Sequence, residues 1–125
     1  MHMNDKIRKI ITAIQYFCAC SPGINLILFL LLGYHIRLGL GHWPTPLFED
    51  YSTFLFEAHL TVVDIMWLFA AVIAGPLWIV LAIVNYRKFR WKTLLVSIVC
   101  YLVSWGMVYV VWCADANDFV TWYFD

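Results

Sequence analysis

Arg37, Glu57, Asp64, His35 and His59 are the residues whose types and positions could do chemistry. Glu57 and Asp64 are seven apart, two turns of a helix, so both fall on one face. Two carboxylates there could hold a proton or a cation for a channel or transporter. The simpler reading is a structural ion-pair cluster with Arg37, the single base between Tyr34 and Asp64. A charge left unpaired near lipid is costly, so a partner is expected either way. His35 and His59 would meet if the first two helices are neighbours, and two facing imidazoles can ligate a haem iron or another metal. His59 is about 200° around its helix from Glu57, which argues against a tight local metal site. His2 and His42 add no spacing signal, and no cofactor is expected beyond that marginal haem reading. Of the four cysteines, Cys18 and Cys20 point to different helix faces and make a poor chelate. Cys100 falls mid-segment and Cys113 at a segment end, so no disulfide framework follows.

The elements that must position these residues are set by composition. Of 125 residues, 64% are apolar and 13% charged. A soluble domain of this length could not hide so much apolar surface. Ile65 to Val84 and Thr93 to Trp112 are uncharged runs, each long enough at about 1.5 Å per residue to span roughly 30 Å. Ile10 to Gly33 is a third. The expected fold is a single all-α domain over residues 1–125 with three transmembrane helices.

The zero net charge becomes informative once split by segment. Lys6, Arg8 and Lys9 precede the first span, and Arg87, Lys88, Arg90 and Lys92 fill the 85–92 loop. Most acids fall on the other side, in the 41–53 loop, in Glu57 and Asp64, and in the 113–125 tail. The positive-inside rule then puts the N-terminus and the 85–92 loop in the cytoplasm and the C-terminus outside. The basic start invites a signal-peptide reading, but the apolar stretch is long and lacks a small-residue cleavage site. No separate basic portion exists, so nucleic acid is not an expected partner.

The first span has two readings. One helix could cover 10–33 with a kink at Pro22 and Gly23. Alternatively Ser21 is an N-cap and Pro22 the first helical residue, so that the span is 22–40. Residues 5–18 would then form a separate interfacial amphipathic helix, with Ile7, Ile10, Ile11, Ile14 and Phe17 on one side. The second reading is slightly preferred.

Past the first span, "LGLGHWPTPLFEDY" (38–51) ends a helix at Gly39 and Gly41 and stiffens at Pro44 and Pro46. It reads as a rigid outer corner, with Trp43 and Tyr51 as interface anchors. In the second segment, Glu57, Thr61, Asp64, Leu68, Ala71 and Gly75 share a face expected to point inward, with Ala71 and Gly75 as a small-residue packing pair. Pro76 should bend this helix. Ser97, Tyr101 and Ser104 line one face of the third span for helix–helix hydrogen bonding. Asp115 or Asn117 can cap a last short turn, whose Trp122 and Tyr123 read as anchors lying on the outer surface.

"LGLGHWPTP" followed by acids, the Tyr101-to-Trp105 spacing and the terminal "TWYFD" resemble an uncharacterised group of small three-helix bacterial membrane proteins. The resemblance implies an inner-membrane location and this topology. It supplies no activity, cofactor or catalytic residue. The expected function is an accessory, assembly or interaction subunit of a larger membrane complex or a homo-oligomer, more readily non-enzymatic than enzymatic. Its partners would be the lipid bilayer and other membrane subunits or itself. The alternatives are an oligomeric ion- or proton-linked channel or transporter through Glu57 and Asp64, and a haem protein through His35 and His59.

Overall fold

The computed structural model describes residues 4–45, 51–84 and 91–124. Most of the basic loop (Arg87, Lys88, Arg90), the corner acids Glu49 and Asp50, and Asp125 lie outside the described residues. Every regular element is helical: α1 (Asp5–Leu40), α2 (Phe54–Leu68), a π-helical turn (Phe69–Ile73), α3 (Ala74–Val84), α4 (Trp91–Ala114), a 3-10 turn (Ala116–Asp118) and α5 (Phe119–Phe124). Three helices, Asp5–Leu40, Phe54–Val84 and Trp91–Ala114, are long and apolar enough to cross a membrane. That is consistent with an integral membrane protein.

The first helix corrects the preferred reading of 5–18 as a separate helix. α1 is one element of 36 residues with Pro22 inside it. A proline removes the N–H that would reach the carbonyl four residues back, here Cys18. The Ser21 hydroxyl donates to that Cys18 carbonyl at 2.8 Å, so the bond lost to Pro22 is replaced locally. Ser21 therefore repairs the helix and does not start one. Gly41, with φ of 79°, ends α1 through its N–H to the Arg37 carbonyl.

Around Pro76 the second span stays helical, widening upstream of the proline and not breaking. Just upstream of Pro76, Ala74 N–H bonds the Phe69 carbonyl, five residues back. This π turn absorbs one extra residue where the proline forbids the ordinary pattern.

α1 is the hub. Its buried side chains, Gln15, Cys18, Pro22, Asn25, Phe29, Leu32 and Ile36, recur every three or four residues. α2–α3 and α4 both pack on it, and among the described residues they touch one another through long side chains such as the Trp67–Trp112 ring pair and a Trp78-to-Ser97 hydrogen bond. Gly23 opposes Ser104, whose Oγ would be 3.0 Å from a β-carbon there. Phe29 stacks near Trp112 at 6.3 Å, so α1 and α4 run in the same direction and α4 stops near the level of Phe29. α1 continues eleven residues past Phe29 to Leu40, about 16 Å by helical rise. α5 fills the room above the end of α4.

That placement corrects the tail as well. Phe119 and Val120 are buried, and Phe119 and Tyr123 put their rings 4.8 and 4.9 Å from Phe29. The tail folds back into the bundle and does not lie flat on a surface. Two residues make this possible. Gly33 leaves the space that the Phe119 ring occupies, since a β-carbon there would sit 2.9 Å from it. Asp115, at φ 32°, turns the chain, and its carboxylate accepts from Val120 N–H at 2.7 Å and Thr121 N–H at 3.2 Å to cap α5. Asn117 and Asp118 share the left-handed backbone, where Asn and Asp are the best tolerated residues after glycine.

Candidate functional site

The inward stripe of the second span is Phe56, Val63, Ala70 and Ala74, all buried. The face expected to point inward is the neighbouring one. Glu57, Thr61, Asp64, Leu68 and Ala71 are exposed, and Gly75 is half-buried with the Tyr101 hydroxyl 3.8 Å from where a β-carbon would be. The phase is off by one residue, about 100° of helix. The reason is that helix packing between apolar segments is chosen by shape, and here Ala70 and Ala74 let α1 approach. On α4, Ser97 and Ser104 are buried and Tyr101 is half-buried. Ser97 accepts from the Trp78 indole at 3.2 Å and donates to the Leu94 carbonyl at 2.9 Å.

The charged cluster does not assemble. Among the described residues, no ion pair joins Arg37 to Glu57 or Asp64. Arg37 lies in the last turn of α1, where a cation complements the helix dipole, with its guanidinium 5.3 Å from the centre of the Trp43 ring. Glu57, in the first turn of α2, accepts from the Ser52 hydroxyl, and Thr53 caps the same helix end. These two residues finish helix ends. Asp64 instead accepts a hydrogen bond from the Tyr123 hydroxyl of α5. Burial, together with that bond to the carboxylate, pushes the Tyr123 phenol well above its ordinary range, so it remains a neutral donor.

His35 and His59 do come together, stacked at 5.8 Å with 27° between the rings. His59 donates from Nε2 to the Leu28 carbonyl at 3.1 Å. A haem iron held by two imidazoles takes them end-on from opposite sides of the metal. Rings lying face to face, one with its nitrogen already bonded to α1, do not fit that requirement. His35 also packs edge-on against Tyr51 and Phe56, which makes the pair part of an aromatic layer. Tyr51 closes over Gly39, and Trp43 packs near Phe119, so both expected anchors serve the bundle's own packing. Trp122 stacks on Phe119 at 5.9 Å.

What the arrangement does build is a cleft of about 860 Å³ between α2 and α4, open on one side. Among the described residues, Asp64 is the one charged residue lining it. Around it stand Trp67, Trp105, Tyr109, Trp112, Tyr123 and Phe124, with Ala71 and Val108 also lining the space. The cleft exists because α2 and α4 lean on α1 without closing on each other. Three of its determinants, Phe29, Gly33 and Asp115, carried no signal in the sequence that tied them to Asp64. Two buried amides on α1 were equally silent. With its amide oxygen assigned to the side that satisfies both partners, Asn25 accepts from the Trp67 indole at 3.3 Å. Gln15 is buried with neither amide atom hydrogen-bonded.

The chain matches no known protein family, no curated protein and no solved structure.

Proposed function

We propose that the protein is a small multi-pass membrane protein that serves as an accessory, assembly or interaction subunit of a larger membrane complex or of a homo-oligomer. The observation that carries this reading is the unequal use of its three spans. Half of the most apolar 18-residue stretch of α1 is buried, against 11% of the corresponding stretch in the second span and 17% in the third. Helices in lipid associate through close packing at small residues. Gly106 on α4 is such a residue left unused, with nothing within 4 Å of where a β-carbon would be. The split of basic and acidic residues supports a cytoplasmic N-terminus and an external α5. The resemblance noted above supports a bacterial inner membrane.

A second reading, a cation- or proton-linked channel or transporter, has one observation in its favour. Asp64 opens into a cleft; Glu57 does not, so any such path would use Asp64 alone.

Native mass spectrometry of the protein, extracted gently from its own membranes, tests the subunit reading. The expected result is a fixed stoichiometry with a partner or with further copies. Gly106→Leu should abolish that association while the separated protein keeps its helicity and melting behaviour, because the added side chain meets nothing inside the molecule. A monomer under every gentle extraction would overturn the reading.

A further inference from the structure

The cleft between α2 and α4 has a chemistry that the subunit reading does not use. A carboxylate, Asp64, stands in a largely apolar wall and accepts from the neutral Tyr123 hydroxyl. No lysine, arginine or histidine among the described residues lines the space. The remaining surface is dominated by ring faces and edges from Trp67, Trp105, Tyr109 and Trp112. Aromatic faces attract cations, and more strongly when the cation is desolvated. A carboxylate with no base beside it calls for the same sign of charge.

The kind of cation follows from what is missing. Hard metal ions need about six or more oxygen ligands, and a carboxylate with a few phenols among indoles is far short of that. A small hydrated cation would gain nothing from the rings. The complement of this wall is a weakly hydrated charge buried in apolar substituents. The volume, about 860 Å³, falls in the range of small-molecule pockets, about 300–1,000 Å³.

We propose that the α2–α4 cleft binds a lipophilic organic cation, a quaternary ammonium or phosphonium or a protonated tertiary amine, with its charge against Asp64 and its apolar groups on the surrounding indole and phenol rings. Tyr123 is a positioning residue: its hydroxyl occupies one carboxylate oxygen and holds Asp64 toward the cleft. The site is complete within one chain, so it stands whether or not the protein has a partner.

The test is titration of the purified, detergent-solubilised protein with tetraphenylphosphonium, followed by tryptophan fluorescence and by calorimetry. Saturable one-to-one binding is expected. The uncharged triphenylphosphine oxide should bind at least about tenfold more weakly, the share of affinity that the charge contributes. Asp64→Asn should shrink that difference by weakening only the cation, leaving the part due to the rings, and Asp64→Glu should keep it. Tyr109→Ala, at a residue that is 70% exposed, should weaken the cation several-fold. Equal affinity for the charged and neutral compounds in the unaltered protein would overturn the proposal and leave a greasy cleft suited to lipid chains. Unsaturable partitioning would overturn it too. Both comparisons with the unaltered protein hold even if Asp64→Asn fails to fold. Loss of oligomers in Gly106→Leu with cation binding retained would separate this site from the subunit reading.

Discussion

Asp64 and Tyr123 are 59 positions apart in sequence and form a hydrogen bond between the middle of one helix and the returning tail. The phenol is held above the ordinary tyrosine value, about 10, by its burial and by the carboxylate. A raised folded-state value means that the neutral form is the one the fold favours. Its stabilising contribution is therefore complete below the unfolded value and is lost as pH rises through the folded one. An alkaline absorbance titration should show this directly. At about pH 11 an ordinary tyrosine is mostly phenolate, so the unaltered protein and Tyr123→Phe should have the same phenolate signal. In Asp64→Asn, where burial still holds the phenol up but the carboxylate does not, Tyr123 should ionise at a lower pH than in the unaltered protein. Ionisation of Tyr123 near pH 10 in the unaltered protein would mean that the bond is not made. Residue types were legible in advance here, because a carboxylate beside an apolar segment must find a partner. The identity of the partner was not. Arg37 was the electrostatically obvious choice, yet it sits over Trp43 at the end of α1, and a neutral donor from the tail takes its place.

At the scale of elements, the three long apolar helices could be read from uncharged runs, since a bilayer-length stretch without charge has few other uses. Continuity across Pro22 could not, because Ser-Pro is at once a good helix start and a self-repairing interior pair. The Ser21-to-Cys18 bond shows which it is, and it yields a double-mutant cycle. Ser21→Ala should lower stability by about 1–2 kcal/mol, the cost of leaving a buried carbonyl without its donor. In a Pro22→Ala background the backbone N–H returns, and the same serine change should cost little. Unfolding in a denaturing detergent titration reads both. Equal costs in the two backgrounds would show that the hydroxyl does not serve the proline's gap. The face of the second span escaped sequence reasoning for a related reason. Polarity separates inside from outside in water, but Ala70 and Ala71 are equally apolar, and only their fit against α1 distinguishes them.

At the scale of the molecule, the orientation drawn from charge asymmetry has a direct check. Cys113 is exposed in the last turn of α4, at the α5 end. As the only cysteine left in the chain, it should react with a membrane-impermeant maleimide in intact cells. A cysteine introduced at the opposite end, Asp5→Cys, should react only after permeabilisation. The reverse pattern would overturn the proposed orientation. The splay of α2–α3 and α4 about a common helix was not legible, because it depends on Phe29, Gly33 and α5 filling one side of the bundle and leaving the other open. That hub also precedes the other two spans. During synthesis each later span emerges beside a docking surface that is already in place, and it has no need to wait for a segment still inside the ribosome. The bundle can thus be assembled in reading order, one helix at a time, with no early pairing that a later one must undo.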